Sequence, residues 1–498
     1  MKNLIIATCA VLVITALNAC SQQEIPDTPA PAAETITVTA RTAEEQTGTK
    51  TTLSGLETHW VKDVDKIGVF SPEAAGQKNN VLYTAQSNGK TSDFTGSLVW
   101  GAGAHDFYAY YPYNSTYNGD HEAVPFSLPS EQTQSAANNT DHIGALDYMV
   151  ATPLTVARGG AVNFTFNHVF SIMEFQITGS GSLSAVRLTG TNALACTGTI
   201  DLIQTPGVDD IAYTIAQTST SQTVTVTLGS AASLSTTTAV SVFMMILPGT
   251  QSGDITIELE IGGSWKSMTK TPPAGGFVRG KKYQISVFHD SRDGNLYSYR
   301  TYGSQVWMTK NMAYLPSVVG PGTGSNSTAY YYVYGYDSTD VATAKATDNY
   351  STYGVLYNWT AAQSACPSGW RLPSDAEWTQ LEEYLIANGY NYDGTTTGNK
   401  IAKSMANYSG WNTSSTVGAV GNTDYPEYRN KSGFTALPGG YRLDPGAFRH
   451  VGTTGHWWSS AQIYTSYAWN RGLSSNGSSV FRGSYDKEDG YSVRCLRD

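Results

Sequence analysis

The sequence predicts a mainly β protein, two tandem β-sandwiches followed by an α+β unit. Three observations point there. Apolar and polar residues alternate at period two from about residue 35 to 288, the spacing of half-buried strands. The 498 residues exceed what one core supports and suggest roughly two to four domains. After a polar turn cluster at 291–294 the composition shifts, Trp and Tyr become dense, and an amphipathic helix appears. Charged residues make up only 14%, whereas Gly, Ser, Thr and Tyr are abundant, a balance typical of exposed extracellular strand proteins. Net charge is -10 with no long basic run, which excludes a nucleic-acid partner, because neutralising phosphates takes clustered Lys and Arg.

The first twenty residues form a targeting segment. Lys2 supplies a positive start, and the apolar run 4–17 falls short of the roughly 20 residues that span a bilayer. It ends in Leu17, Asn18 and Ala19 before Cys20, which resembles a bacterial lipoprotein signal with Cys20 as the lipidated residue. Residues 21–34 are polar with Pro26, Pro29 and Pro31, a semi-stiff linker between lipid and fold. The expectation is an exported protein held to a membrane by its lipid.

In the β region, 223–228 and 255–261 alternate cleanly. Between 161 and 177 the apolar positions change parity once, which predicts a bulge or a strand that changes sheets. The apolar run 240–247, stopped by Pro248 and Gly249, predicts a central strand buried on both faces. The segments THWVKDVDKIGVF (58–70), HDFYAYYPYN (105–114), LDYMVA (146–151), FNHVFSIMEFQI (166–177) and VRGKKYQISV (278–287) occur in order. Together they resemble the fimbrillin family of lipoprotein pilins from Bacteroidetes-type bacteria. The resemblance implies two transthyretin-like β-sandwiches, over 35–157 and 158–290. It implies export to the outer membrane and cell surface, then assembly into a pilus with other fimbrillin subunits by donor-strand exchange. It further implies a trypsin-like maturation cut after an early arginine, for which Arg41 is the matching position. The physics of such an exchange is general. A sandwich that loses a strand exposes an apolar groove and unpaired backbone groups, and a neighbour's extended strand fills both.

The C-terminal segments YSYRTYGSQVWMTKNMAYLP (297–316), YGVLYNWTAAQSACPSGWRLPSDAEWTQLEEYL (353–385), SGFTALPGGYR (432–442), GHWWSSA (455–461), AWNRGL (468–473) and GYSVRCLRD (490–498) closely resemble the Fibrobacter succinogenes major paralogous domain. That family looks related to the C-type-lectin-like and formylglycine-generating-enzyme-like fold, which implies an α+β C-type-lectin-like domain over 294–498. Within it, Ser374 and Glu377 form a capping box that starts a helix over 375–387, with Trp378, Leu381, Leu385 and Ile386 on its apolar stripe. A shorter helix is expected around 356–365, and Arg371 is expected to pair with a carboxylate or cap carbonyls.

Five cysteines are present. Cys9 goes with the signal and Cys20 with the lipid, leaving Cys196, Cys366 and Cys495 in an oxidising compartment. Cys366 and Cys495 share the C-terminal region and are expected to pair, contributing roughly 4–5 kcal/mol in the chain-entropy model. Cys196 is then a buried free thiol.

No catalytic constellation, cofactor motif or metal site is legible. The eight histidines are scattered, and nucleophile elbow, metal-binding helix and phosphate loop are all missing from the sequence. Formylglycine-generating enzymes carry a similar RLP-x-x-x-EW segment, but their chemistry needs a thiol pair, which the disulfide uses up. Calcium-dependent lectins commonly use Glu-Pro-Asn or Gln-Pro-Asp with Trp-Asn-Asp. Here Trp469 and Asn470 are followed by Arg471, whose guanidinium repels calcium. The acidic cluster 486–489 reads as a solvated turn. Aromatic and loop residues remain as ligand-binding candidates: Tyr441, Trp457, Trp458, Tyr464 and Trp469, with Asn470 and Arg471, and Arg449 and His450 on a loop. The loops 413–428 and 444–454 are the expected carriers of specificity. The expected function is a pilus tip adhesin for a glycan or protein receptor. The alternatives are a non-adhesive structural pilin or anchoring lipoprotein and, further off, an enzyme of the formylglycine-generating type.

Overall fold

The computed structural model describes residues 34–43, 59–203, 214–443 and 446–498. The signal segment, Cys20 and the linker lie outside these residues. The described chain is mainly β, as its period-two patterning dictates.

In chain order the first strands are β1 (Thr35–Thr42), β2 (Lys66–Phe70), β3 (Val81–Ala85), β4 (Thr91–Val99), β5 (Ala104–Tyr111), β6 (Val124–Leu128) and β7 (Glu131–Gln134). A short helix α1 (Asp141–Leu146) precedes β8 (Met149–Ala151), β9 (Leu154–Ala157) and β10 (Val162–His168). One sheet runs β2-β3-β4-β1-β10-β8-β5-β9, and a further pairing of β2 with β5 closes it into a ring. β1 therefore lies inside the sheet, antiparallel to β4 and parallel to β10. Its Ile36, Val38 and Ala40 point into a core with Trp60, Phe94 and Phe166.

The next strands are β11 (Ser171–Gly179), β12 (Ser182–Thr189), β13 (Ala195–Asp201), β14 (Thr214–Ser221), β15 (Thr223–Ser233), β16 (Val240–Ile246), β17 (Ile255–Ile261), β18 (Ser264–Lys270) and β19 (Lys282–Asp290). The parity change near residue 169 is a change of sheet: β10 ends one sheet, and β11 begins another between β16 and β19. A division at 157/158 does not match the cores. β10 completes the first sheet, while β6 and β7 pair with β13 and β15 and pack with the second core.

The apolar run predicted as a central strand is β16, which stands at the end of its sheet order. Its outer edge is nevertheless satisfied, by side chains. Gln132 Nε2 donates to Met245 O at 2.7 Å, and Met245 N donates to Gln132 Oε1 at 3.0 Å. Phe243 N donates to Gln134 Oε1 at 2.9 Å and Ser241 N to Asn138 Oδ1 at 2.7 Å. The buried amides of Gln132 and Gln134, with the exposed amide of Asn138, thus replace a neighbouring strand and protect an edge that would otherwise template further pairing.

The C-terminal part comprises β20 (Asn295–Tyr302), β21 (Gln305–Met308), β22 (Tyr331–Tyr332), α2 (Val341–Lys345), α3 (Asp348–Tyr353), β23 (Leu356–Tyr357), α4 (Trp359–Ala362), β24 (Trp370–Arg371), α5 (Asp375–Ala387) and α6 (Ala402–Met405). Then follow β25 (Gly439–Leu443), β26 (Ala447–Val451), β27 (Thr454–Gln462), β28 (Tyr467–Ser474), β29 (Phe481–Asp486) and β30 (Leu496–Arg497). The helix expected at 356–365 is shorter, because Leu356 and Tyr357 pair with β22 as a strand.

The polar cluster at 291–294 is a hairpin turn inside one continuous sheet, where a domain boundary was expected. That sheet runs β16-β11-β19-β20-β21-β30-β24, with Phe288 opposite Tyr297 and Asp290 opposite Asn295. Gly294 takes φ 76°, a left-handed conformation suited to glycine. Arg292 clamps the turn, pairing with Asp290 at 2.8 Å and donating to Ala365 O at 2.8 Å. Phe288 packs in the C-terminal core, its ring 5.6 Å from that of Trp370.

Candidate functional site

The stretch from Cys366 to Trp378 is scaffold. Ser374 Oγ accepts from Glu377 N at 3.3 Å, while Ser374 N donates to Glu377 Oε2 at 2.8 Å, so the capping box closes reciprocally. Arg371 meets the same carboxylate with two bonds of 2.7 Å. Trp378, Leu381 and Leu385 turn inward from α5. Cys366 and Cys495 are disulfide-bonded across 129 residues, a loop closure worth about 5 kcal/mol in the chain-entropy model. Cys196 is a buried free thiol, and burial pushes its pKa up to about 11, so it is inert at neutral pH.

Several ligand candidates belong to the interior. Trp457 and Trp458 are fully buried, in different cores. Trp457 Nε1 donates to Asn311 Oδ1 at 2.9 Å and Trp458 Nε1 to Tyr357 O at 2.8 Å. Arg471 is buried against α5, bonding Asp375 Oδ1 at 2.5 Å and Glu382 Oε1 at 2.6 Å. Asn470 is buried and accepts from His456 Nδ1 at 3.1 Å. Trp469 is half-buried beneath the Arg482 guanidinium, 3.3 Å from its ring centroid. The expectation that Trp457, Trp458, Asn470 and Arg471 face a ligand is therefore corrected: in the middle of β27 and β28 these four side chains, on both parities, are buried in protein.

Tyr441, Arg449, His450 and Tyr464 are accessible. Tyr441 lies opposite Arg449 in the β25–β26 hairpin, its ring stacked 5.4 Å from that of exposed His450. Exposed Tyr464 lies in the β27–β28 connection, well separated in sequence from that hairpin. Beneath Tyr441 sits His456, buried among Tyr441, Phe481, Tyr485 and Tyr491. Burial lowers its pKa to about 4, with the Asn470 bond opposing and the His450 charge adding to the shift. An unfolded histidine titrates near 6.5, so below that pH the unfolded chain takes up a proton that the folded chain refuses. The stabilisation is complete above about pH 6.5 and is lost as pH falls towards 4, about 3 kcal/mol in all. Urea unfolding at pH 7 and 4.5 is expected to show a smaller acid loss for His456→Gln than for wild type. Equal losses would contradict this role.

The loop 413–428 carries its own cation. Buried Lys403 Nζ donates to Asn422 O at 2.7 Å, Asp424 O at 2.6 Å and Asp424 Oδ1 at 2.6 Å. An ammonium thus performs the loop-ordering task that a metal ion performs elsewhere. No cluster of three or more potential metal ligands occurs among the described residues. The acidic turn 486–489 is internally engaged: Lys487 is buried over the Trp359 ring, and Asp489 accepts from Tyr491. Sequence reasoning passed over Arg429, directly after the 3-10 turn Pro426–Tyr428; its Nη1 is buried without a hydrogen-bond partner. Nothing in the local sequence distinguishes it from a solvated arginine.

A cavity of about 280 Å³ lies elsewhere, lined by residues including Trp60, Asp65, Tyr111, Asp147 and His168. Its polar groups are largely engaged with one another: His168 Nδ1 is 2.8 Å from Asp147, and Tyr111 donates to Asp65 at 3.0 Å. The exposed C-terminal loops offer the more open chemistry.

The architecture is thus a ring-closed β-sheet, a second packed β core and a disulfide-stapled C-terminal unit. Residues 35–294 match the model of the family described as fimbrillin-like, so the chain belongs to the fimbrillin-like family of pilus-associated proteins. Residues 301–497 match the Fibrobacter succinogenes major domain. No curated protein matches the chain. Among solved structures it is similar to a candidate cell adhesion protein from Bacteroides uniformis, at 15% identity and TM-score 0.36, covering 53% of this chain and 94% of that one. A fimbrial protein from Bacteroides ovatus is similar at 13% identity and TM-score 0.25, over 93% and 99% of the two chains. The tip fimbrial protein Mfa3 from Porphyromonas gingivalis is similar at 12% identity and TM-score 0.28, over 51% and 95%.

Proposed function

We propose that this fimbrillin-like protein is the terminal adhesin of a pilus, presenting a C-type-lectin-like unit to a glycan or protein receptor. The observation supporting it is the occupation of β19. This strand is hydrogen-bonded to β11 on one side and β20 on the other, with Cα partners from Val287–Ser298 to Asp290–Asn295 on the β20 side. A subunit within a filament must pass a strand to its neighbour. Here the corresponding chain direction leads through a clamped hairpin into a folded unit, which suits the end of a filament.

Assembly on this reading uses β1. A cut after Arg41 would free a strand whose neighbours are β4 and β10, and a strand from another subunit would then fill the groove. Lipidation at Cys20 would hold the exported chain at the outer membrane before assembly. The adhesin role is tested by presenting the purified chain to arrays of glycans, mucins and matrix proteins. Saturable binding to at least one is expected; binding to none would overturn the role.

A further inference from the structure

Successive side chains of a strand point to opposite faces, so Arg449 and His450 of β26 would be expected on opposite sides of the β25–β26 hairpin. The backbone brings them together. Tyr441 pairs with Arg449 and Gly439 with Val451, leaving Gly440 and His450 facing each other between these pairs. Both are left-handed, Gly440 at φ 64° and His450 at φ 61°. Glycine is required at 440, where a Cβ would collide with Arg449 O and stand 2.8 Å from Tyr334 Cε2. His450 carries a side chain in a region that L residues rarely adopt. Its imidazole lies against Tyr441, the ring centroids 5.4 Å apart and the planes inclined by 30°. Arg449 shares that side, because directly opposed cross-strand residues point to one face of the sheet.

The hairpin is held from both faces. On the other face the Phe448 ring lies 5.1 Å from that of Tyr334. Buried Arg442 ties β25 to the loops behind it, donating to Pro321 O at 2.8 Å and to Glu488 O at 2.7 Å. On the first face the Tyr441 ring meets those of buried His456 at 4.9 Å and buried Tyr491 at 5.7 Å. Rings thus climb from the core through His456 and Tyr441 to His450, which is exposed, with exposed Arg449 beside the same tyrosine. Backbone strain at an exposed position, where core packing does not demand it, gives grounds for a functional reading of the side chain it redirects. A fixed flat ring suits the C–H face of a sugar, and an adjacent guanidinium fork suits a carboxylate or sulfate. On a chain of net charge -10 this face presents a cation to the outside, so charge complementarity favours an anionic sugar over a neutral one.

We propose that Arg449 and His450 form an acidic-glycan site on the β25–β26 hairpin, with Arg449 taking the carboxylate or sulfate and His450, backed by Tyr441, carrying the sugar ring. The proposal rests on the adhesin reading and names its ligand class. The two residues make separable contributions: Arg449 reads the charge, and His450 the ring. A left-handed His450 that served only to shape the hairpin would be replaced without loss of binding by Asn, which adopts the same conformation readily.

The test titrates the purified full-length chain with sialyllactose, a sulfated heparin oligosaccharide, neutral lactose and a polyglutamate peptide, with thermal unfolding of each variant alongside. Wild type is expected to bind at least one acidic sugar about tenfold or more tighter than lactose, and the sialylated and sulfated arms separate carboxylate from sulfate. Arg449→Gln is expected to weaken that sugar by about 10- to 100-fold, as loss of charge-assisted hydrogen bonds does, and to leave the weaker lactose binding as it was. His450→Asn is expected to weaken both sugars by about 3- to 10-fold, as loss of a ring contact does, with unfolding temperatures of both variants close to wild type. Unchanged affinity for the acidic sugar in Arg449→Gln overturns the proposal; Arg449 is exposed, so this variant is decisive even where His450→Asn fails to fold. A folded His450→Asn that binds like wild type also overturns it. Polyglutamate bound as tightly as the acidic sugar overturns it too, because charge alone then suffices. Lactose bound as tightly as either acidic sugar overturns it while leaving the adhesin reading intact. Binding of none of the four overturns it as well, and the adhesin reading is then decided by the receptor arrays alone.

Discussion

Replacing Arg471 by Met is expected to destabilise the C-terminal unit by about 3–5 kcal/mol, the usual cost of breaking a buried ion pair from one side. The guanidinium side chain is 1% exposed and joins β28 to α5 through Asp375 and Glu382. Arg482 still neutralises Asp375 at 2.8 Å after the change, so the stranded group is Glu382. Burial already raises the Glu382 carboxyl despite the Arg471 bond, and without that bond it must take a proton or water. Chemical denaturation of the variant measures the effect. An unfolding midpoint shift is expected, with ligand binding lost only where folding is lost. A stable variant with selectively reduced binding would return Arg471 to the ligand surface.

Removal of β1 is expected to have a comparably large effect on the first sheet. Ile36 and Val38 are buried side chains, each worth roughly 1.5–3 kcal/mol of apolar burial, and the strand also supplies ladders to β4 and β10. A chain beginning at Thr42 should lose stability, associate, and regain a monomeric melting profile when given a peptide of sequence 34–43. The same peptide with Val38→Asp should fail, because that side chain enters the core. A truncated chain that melts like the full one and ignores the peptide would contradict the exchange proposal. Arg41 itself is exposed but paired within the strand, its Nε donating to Thr165 Oγ1 at 3.0 Å. The proposed cut therefore requires the end of β1 to open locally.

Features set by short-range chemistry were legible in the sequence. The capping box of α5 lies within four residues, and the parity change before β11 records a real change of sheet. Features set by distant partners were not. Adjacent Trp457 and Trp458 must point to opposite faces of a strand, but which face meets solvent depends on what covers the sheet. Here α5 and the core containing Tyr357 cover both. The amides of Gln132 and Gln134 occupy ordinary strand positions and give no sign that they close the edge of β16. The turn 291–294 has a composition shared by linkers and hairpins, and only the ladder between β19 and β20 distinguishes them.

The central claim, an adhesin at the end of a filament, is tested most directly by immunogold labelling of pili on intact cells with antibody against residues 294–498. Gold at filament tips, with shafts unlabelled, is expected. Regular labelling along the shafts would contradict it, because each subunit there must pass a strand onward in the direction that β20 occupies.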